Sequence, residues 1–153
     1  MNNRAQRWRT DGVRVIRSDQ LDSNTPQTPG MQRRAAVTTR ATGAAKLWAG
    51  TVTIDPRART GAHHHGDLES VIYVVEGVAR LRWGDKLEFV AEAGPGDFIY
   101  IPPFVPHQEI NARDDLKLHC VLSRSGQQGL VYNLDIDAVE TPELIRWIDD
   151  LHS

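Results

Sequence analysis

Short runs rich in β-branched and aromatic residues alternate with polar turns along most of the chain. The runs cover residues 35–40, 46–54, 71–83, 86–91, 98–101, 107–111, 116–123 and 129–134. Turn-forming residues lie between them, as in the Gly-Pro-Gly-Asp segment at 94–97 and the Pro-Pro pair at 102–103. Many short strands separated by such turns are typical of sandwiches and barrels, so the pattern predicts an all-β fold.

The first 34 residues do not continue this pattern. Residues 1–12 are polar, residues 13–16 are a candidate for a short strand, and residues 19–30 hold prolines among polar residues. We therefore expect residues 1–34 to form an N-terminal arm with one strand, followed by a β-barrel over residues 35–135.

The C-terminal residues carry a helical pattern instead. Thr141, Pro142 and Glu143 offer a capping hydroxyl, a proline for the first helical position and a carboxylate for the first turn. Apolar residues then recur at helical spacing, at positions 144, 145, 148 and 151. The sequence predicts a short C-terminal helix within residues 136–153, packed on the barrel or on a partner subunit.

Composition limits the classes of function. The chain has 153 residues, of which 40% are hydrophobic, and this suits one domain with its own core. The formal net charge of −2 argues against a protein that coats nucleic acid or an anionic membrane. No apolar run approaches the roughly 20 residues that span a bilayer, and the N-terminus lacks the apolar core of a secretory signal. We therefore expect a cytoplasmic protein that binds neither nucleic acid nor a membrane.

The histidines are the first candidates for chemistry. Three of the six are consecutive, at 63–65, just before the strongest strand candidate of the chain. Because side chains two apart on a strand share a face, His63 and His65 point together and His64 points away. Two imidazoles on one face form half of a metal site, and Glu69 adds a candidate oxygen ligand.

A further histidine lies in a distant strand candidate. Prolines at 102, 103 and 106 restrict the backbone before His107, and Glu109 and Asn111 follow on the same face. A barrel interior can bring ligands from two distant strands together, so the candidate metal ligands are His63, His65, Glu69 and His107. A lone histidine in a strand is more often a hydrogen-bonded structural residue, and this alternative stays open for each of them.

Two segments of the chain resemble the two motifs of the cupin superfamily. The first motif is a glycine, five residues, His-x-His, three or four residues, a glutamate, six residues and a glycine. Its members here are His63, His65, Glu69 and Gly77. The second motif contains a glycine, a proline, a histidine and an asparagine, and its members here are Gly96, Pro102, His107 and Asn111. The resemblance covers roughly residues 45–125 and implies a cupin-like double-stranded β-helix, or jelly-roll barrel.

The chain departs from these motifs at two glycine positions. Arg57 replaces the opening glycine of the first motif, where we expect Gly61 to supply the turn instead. Phe104 replaces the inner glycine of the second motif.

The glutamate of the first motif is also out of register. Counted back from Gly77, the position of the carboxylate holds Ser70, one residue after Glu69. A shift of one residue turns a strand side chain to the other face, so Glu69 needs a β-bulge near residues 66–70 to reach the interior. If no bulge forms, the site has three histidines, and Glu109 approaches the metal or its ligands.

The resemblance implies a divalent metal ion, Fe, Mn, Ni or Zn, in an open coordination sphere. We expect a small metal-dependent enzyme with dioxygenase-like chemistry, or an isomerase or lyase, that acts on a small oxygenated organic molecule. Glu109 is the candidate catalytic residue, because a carboxylate beside the metal can move protons. A non-catalytic binding or sensing module is the alternative, since a fold does not determine a function. Barrels of this family commonly pair through edge strands and N-terminal arms, so residues 13–40 favour a homodimer.

Overall fold

The structure is a computed structural model that describes residues 4–126 and 130–146. Within these ranges it has two α-helices, α1 (Arg4–Asp11) and α2 (Thr39–Thr42), neither of them long and apolar enough to cross a membrane. The strands in the same ranges are β1 (Met31–Val37), β2 (Leu47–Ile54), β3 (His63–His64), β4 (Ser70–Glu76), β5 (Ala79–Trp83), β6 (Phe89–Ala93), β7 (Phe98–Ile101), β8 (His107–Asn111), β9 (Leu118–Ser125), β10 (Tyr132–Asn133) and β11 (Glu143–Leu144).

The strands form two sheets around one core. The first sheet has the order β1-β2-β9-β4-β7, and the second has the order β10-β3-β8-β5-β6-β11. Paired strands are antiparallel, except that β11 runs parallel to β6. Distant parts of the chain are neighbours in this jelly-roll sandwich, as where β2 lies beside β9. The all-β prediction is confirmed.

Alternation along the strands builds the core. In β9, Leu118, Cys120 and Leu122 are buried, and the residues between them are half-buried or exposed. Burial raises the pKa of the Cys120 thiol to about 12, so this residue stays protonated and packs as a small apolar side chain. The buried apolar cluster consists of Met31, Ala35, Trp48, Val52, Ile54, Ile72, Val74, Ala79, Leu81, Ile101, Leu118, Cys120 and Leu122.

The N-terminal arm differs from the prediction. Residues 13–16 lie outside both sheets, and Val13 is 98% exposed, so the strand predicted there is wrong. The position beside β2 is taken by β1, whose Met31 and Ala35 are buried in the core. Residues 13–16 thus precede the first strand and pair with neither sheet.

The predicted C-terminal helix is not confirmed. Glu143 donates its N–H to the carbonyl of Glu88 at 2.7 Å, and Ile145 donates to that of Val90 at 2.8 Å, so this segment forms β11. These hydrogen bonds satisfy the open edge of β6, which outweighs the local helix-start signal. The rest of the predicted helix, residues 147–153, lies outside the described residues.

The outer face of the first sheet is apolar at its β7 edge. Val71 lies opposite Tyr100, and Tyr73 lies opposite Phe98. Phe98 and Tyr100 are both largely exposed, and contiguous apolar surface of this kind is common at interfaces. The expected homodimer stays a prediction.

Two positions that hold glycine in the cupin motifs have a left-handed backbone here. The φ angle is 61° at Arg57 and 61° at Phe104, a region that residues other than glycine seldom adopt. Arg57 therefore makes the turn itself, and the expectation that Gly61 supplies it is wrong. A left-handed backbone at a residue other than glycine costs about 1–2 kcal/mol, so Arg57 and Phe104 are each strained by about this amount.

Candidate metal centre

Three histidines converge in the barrel interior. His63 begins β3, His65 follows two residues later, and His63 lies opposite His107 of β8. All three are buried, with 6%, 6% and 2% of their surface exposed. Each offers one ring nitrogen, and these three atoms all lie within 4.8 Å of one another. Nitrogens that bind one cation at about 2.1 Å are at most about 4.2 Å apart, so three atoms grouped within 4.8 Å need only a small shift to share an ion.

Main-chain oxygens orient all three rings. Each Nδ1 donates to a carbonyl: His63 to Gly61 at 2.9 Å, His65 to Leu130 at 2.8 Å and His107 to Val105 at 2.9 Å. A carbonyl oxygen only accepts, so each Nδ1 carries the proton and each Nε2 keeps its lone pair. Metal-ligating histidines usually have such a hydrogen bond behind the ring.

Burial keeps the imidazoles of His65 and His107 neutral. Burial, followed by the charge of Arg124, lowers the pKa of His65 to about 4. Burial also lowers the pKa of His107, although Glu109 acts in the opposite direction. Neutral imidazole is the form that binds a metal ion, so these two rings are ready to ligate at neutral pH.

The donor set fits a divalent cation. Nε2 of His107 is buried and has no hydrogen-bond partner within the described part of the chain. Buried polar atoms are seldom left in this state, so a ligand for this lone pair is the expected completion of the site. Imidazole suits Fe, Ni and Zn alike, and a nearby carboxylate extends the range to Mn, so the ligands do not select one metal.

Glu69 lies outside this cluster. The chain makes a turn before β4, with a φ of 63° at Gly66 and a hydrogen bond from Leu68 N–H to the carbonyl of His65 at 3.3 Å. β4 then begins with Ser70, which is buried, while Glu69 is exposed. Neighbouring strand residues face opposite sides, so Glu69 points away from the histidines, and the geometry does not support it as a ligand.

Glu109 supplies the interior carboxylate instead. Its Oε2 lies 3.9 Å from Nε2 of His63, and its side chain is 14% exposed. Burial alone would raise the pKa of Glu109, but His107, His63, Arg33 and Arg124 together outweigh it and hold the pKa below its ordinary value. An ionised carboxylate therefore lies beside the histidines at neutral pH. This arrangement matches the alternative in which the site has three histidines with Glu109 nearby.

Two other motif residues have structural contacts. Asn111 is buried, and its Nδ2 donates to the carbonyls of Ile54 and Leu116 at 3.1 and 2.8 Å, so it ties two loops together. His64 faces away from the cluster, as predicted, and stacks on Tyr132 with ring centroids 4.9 Å apart.

Sequence reasoning missed two polar residues of the interior, Arg124 and Ser70. Arg124 follows the buried positions 118, 120 and 122 of β9 at the same two-residue spacing, and it lies opposite Ser70 of β4. This two-residue spacing could have predicted from the sequence that Arg124 faces the interior. Arg124 was missed because the predicted strand ended at residue 123, whereas β9 continues to Ser125.

Comparison with protein families finds a match within the chain. A family model for the cupin domain matches residues 50–123. The chain contains a cupin domain. The matched range runs from within β2 to within β9 and includes the three histidines and Glu109. The resemblance on which the sequence prediction rested is confirmed.

Solved structures share the fold of this cupin domain. KdgF from Halomonas sp. is 19% identical with a TM-score of 0.60, over 76% of this chain and 96% of that chain. The polyketide cyclase RemF from Streptomyces resistomycificus is 25% identical with a TM-score of 0.65, over 85% of this chain and 89% of that chain. Oxalate decarboxylase from Bacillus subtilis is 22% identical with a TM-score of 0.64, over 80% of this chain and 32% of that chain. Among curated protein sequences, none matches this chain.

Proposed function

We propose that the cupin domain binds a divalent cation through His63, His65 and His107 and acts as a small metal-dependent enzyme. Its substrate is a small oxygenated organic molecule. The reaction class that the site supports best is proton transfer, as in an isomerase or a lyase. The observation that carries this choice is Glu109, a buried and ionised carboxylate 3.9 Å from Nε2 of His63.

Each part of the site has a role in such a reaction. His63, His65 and His107 would hold a divalent cation, which would polarise an oxygen of the substrate and so make the neighbouring C–H group more acidic. Glu109 removes the proton from that carbon and delivers it to another atom of the same molecule or to a leaving group. The electrons stay within the substrate, so the reaction needs no oxidant. The Nδ1 hydrogen bonds hold the three rings in place while this happens.

The names of two similar structures agree with this class of substrate. One is a polyketide cyclase, and the other is an oxalate decarboxylase, so both names refer to oxygenated organic compounds. At 25% and 22% identity they support the proposal in general terms and leave the substrate of this chain to experiment.

Metal analysis tests the first half of the proposal. The protein is purified without a histidine tag and reconstituted under anaerobic conditions with Fe, Mn, Ni or Zn. Elemental analysis is expected to find about one ion per chain in the wild type, and below roughly a tenth of that in His63→Ala and His107→Ala. His64→Ala is the matched control, because His64 faces away from the cluster, and it should retain the metal. A wild type that takes up no ion would contradict the proposal.

Solvent exchange tests the second half. Metal-loaded protein is incubated in D₂O with hydroxy acids, keto acids and sugar acids, and ¹H NMR measures the loss of C–H signals. Glu109→Gln is expected to keep the fold and to lower the exchange rate by about 100-fold or more. Glu76→Gln removes an exposed carboxylate and should exchange at the wild-type rate. Exchange that survives in Glu109→Gln would exclude this residue as the base.

Oxygen uptake separates the other functions that the sequence predicts. A dioxygenase consumes O₂ together with its substrate, whereas a binding or sensing module retains a small molecule without exchange of its C–H groups. Either result would replace proton transfer as the reaction class and leave the metal site unaffected.

A further inference from the structure

A polar pair on the first sheet narrows the class of substrate. Ser70 of β4 and Arg124 of β9 are directly opposite residues, so their side chains share one face of the sheet. That face is the inner one, because Ser70 is 3% exposed and Ile72 and Val74, the next residues at the same spacing, are also buried. The pair therefore points into the interior that holds the three histidines.

Both members of the pair have an unpartnered polar atom. In the described ranges, the buried side-chain atoms without a hydrogen-bond partner are Ser70 Oγ, Arg124 Nε and His107 Nε2. The last of these faces the position of the metal. The other two are donors on neighbouring strands, and folded proteins rarely bury donors that nothing accepts from. Two such donors in one place indicate a ligand with acceptor oxygens.

Trp48 positions the guanidinium of Arg124. Trp48 lies opposite Arg124 on β2 and is 1% exposed. Cζ of Arg124 is 5.4 Å from the centroid of the Trp48 ring, within the range of a cation–π contact. Since one face of the planar guanidinium is covered by the indole, its N–H groups point outward from the edge of the plane.

The charges of the interior favour an anion. Arg124 lies opposite the buried Ser70 on the inner face of the sheet, so its charge faces the interior that holds the three histidines. Arg33 of β1 lies between the buried Met31 and Ala35 at two-residue spacing, so it shares their inward face. Two guanidinium groups and a divalent cation exceed the single charge of Glu109, and a cleft of net positive charge attracts anionic ligands.

We infer that Ser70 and Arg124 form a subsite for a carboxylate group of the substrate. The inference rests on the proposed function, because one molecule then presents its carboxylate to Arg124 and its reacting oxygen to the three histidines. The Arg124 Nε–H and the Ser70 hydroxyl donate to the two oxygens of the carboxylate, an arrangement that arginine forms readily. The substrate is thus a small organic acid and not a neutral sugar or a phenol.

Binding of lactate and lactamide to the metal-free protein tests the subsite apart from metal and turnover. The two probes have similar size and differ in the carboxylate. NMR titration is expected to show lactate binding at least about tenfold more tightly than lactamide. Arg124→Gln is expected to weaken lactate binding by about tenfold or more, and Arg124→Lys, which keeps the charge, by less. Arg34→Gln removes an exposed arginine from β1 and should stay within about twofold of wild type.

Several outcomes would overturn the inference. One is that the wild type binds lactate and lactamide equally, or binds neither. Another is that a folded Arg124→Gln variant binds lactate as tightly as the wild type. The third is that the wild type binds inorganic phosphate more tightly than lactate. The comparison in wild type needs no variant, so misfolding of Arg124→Gln does not remove the test. Preference for lactate in a protein that never takes up a divalent ion supports the subsite and contradicts the proposed function. Metal uptake by a protein that does not prefer lactate to lactamide supports the metal site of the proposed function and contradicts the carboxylate subsite.

Discussion

The two ends of the barrel interior share strand β9 and differ in chemistry. We call the row Met31, Ile54 and Leu118 on β1, β2 and β9 the apolar end. The polar end consists of Ser70, Arg124 and the three histidines His63, His65 and His107. Along β9 alone, the inward residues change from Leu118 to Arg124. Strand geometry thus decides which residues face inward, and residue type decides whether a position packs or binds.

The apolar end stabilises the fold, whereas unpartnered polar atoms at the polar end destabilise it. A buried leucine or isoleucine at the apolar end stabilises the fold by about 1.5–3 kcal/mol. A buried polar atom without a partner at the polar end costs about 1–3 kcal/mol until a ligand satisfies it. The difference suggests that the barrel closes through its apolar end and keeps the polar end available for binding.

Truncation at the apolar end is expected to have the largest effect on stability. Leu118 is 2% exposed, so Leu118→Ala should lower the free energy of unfolding by about 3 kcal/mol through lost contacts and a cavity. Urea denaturation of the metal-free protein measures this. Leu116→Ala makes the same change at a residue that is 43% exposed and should cost less than about 0.5 kcal/mol. Similar losses at both positions would contradict the assignment of the core.

Removal of a hydroxyl at the polar end is expected to stabilise the protein. Ser70→Ala deletes the unpartnered Oγ and should raise the free energy of unfolding of the metal-free protein by about 1 kcal/mol. The control is Ser123→Ala, because Ser123 Oγ donates to the carbonyl of Trp48 at 3.2 Å, and its loss should cost about 1 kcal/mol. Urea denaturation compares the two. A loss of stability in Ser70→Ala would show that Ser70 stabilises the fold, as the residues of the apolar end do.

The smallest effect is expected in the loop that leads to His107. Phe104 has a φ of 61° and is 63% exposed, so Phe104→Gly should raise the free energy of unfolding by about 0.5 kcal/mol as the strain is released. Phe98→Gly, in the regular strand β7, should instead lower it by about 1 kcal/mol. Thermal unfolding measures both. A lower melting temperature in Phe104→Gly would show that the loop gains more from the ring than it loses to its backbone.

Much of the fold and part of the site followed from local sequence patterns. The alternation of short runs predicted most of the strands of both sheets, and motif spacing predicted His63, His65 and His107 as neighbours. The predictions that differ from the structure lie where tertiary contacts compete with local signals. Glu143 enters a strand because β6 has an open edge, although Thr141 and Pro142 favour a helix.

The sequence by itself determined which residues share a face, because side-chain direction on a strand depends on the backbone of adjacent residues. It therefore predicted that His63 and His65 point together and that Glu109 accompanies His107. Only the tertiary structure decided that Glu109 and not Glu69 lies beside the histidines, since the start of β4 depends on its pairing with β7 and β9. The same holds for Arg124 and Ser70, which are far apart in the chain and meet through the register of β9 against β4. Register between distant strands depends on the packing of the whole core, and no local pattern specifies it.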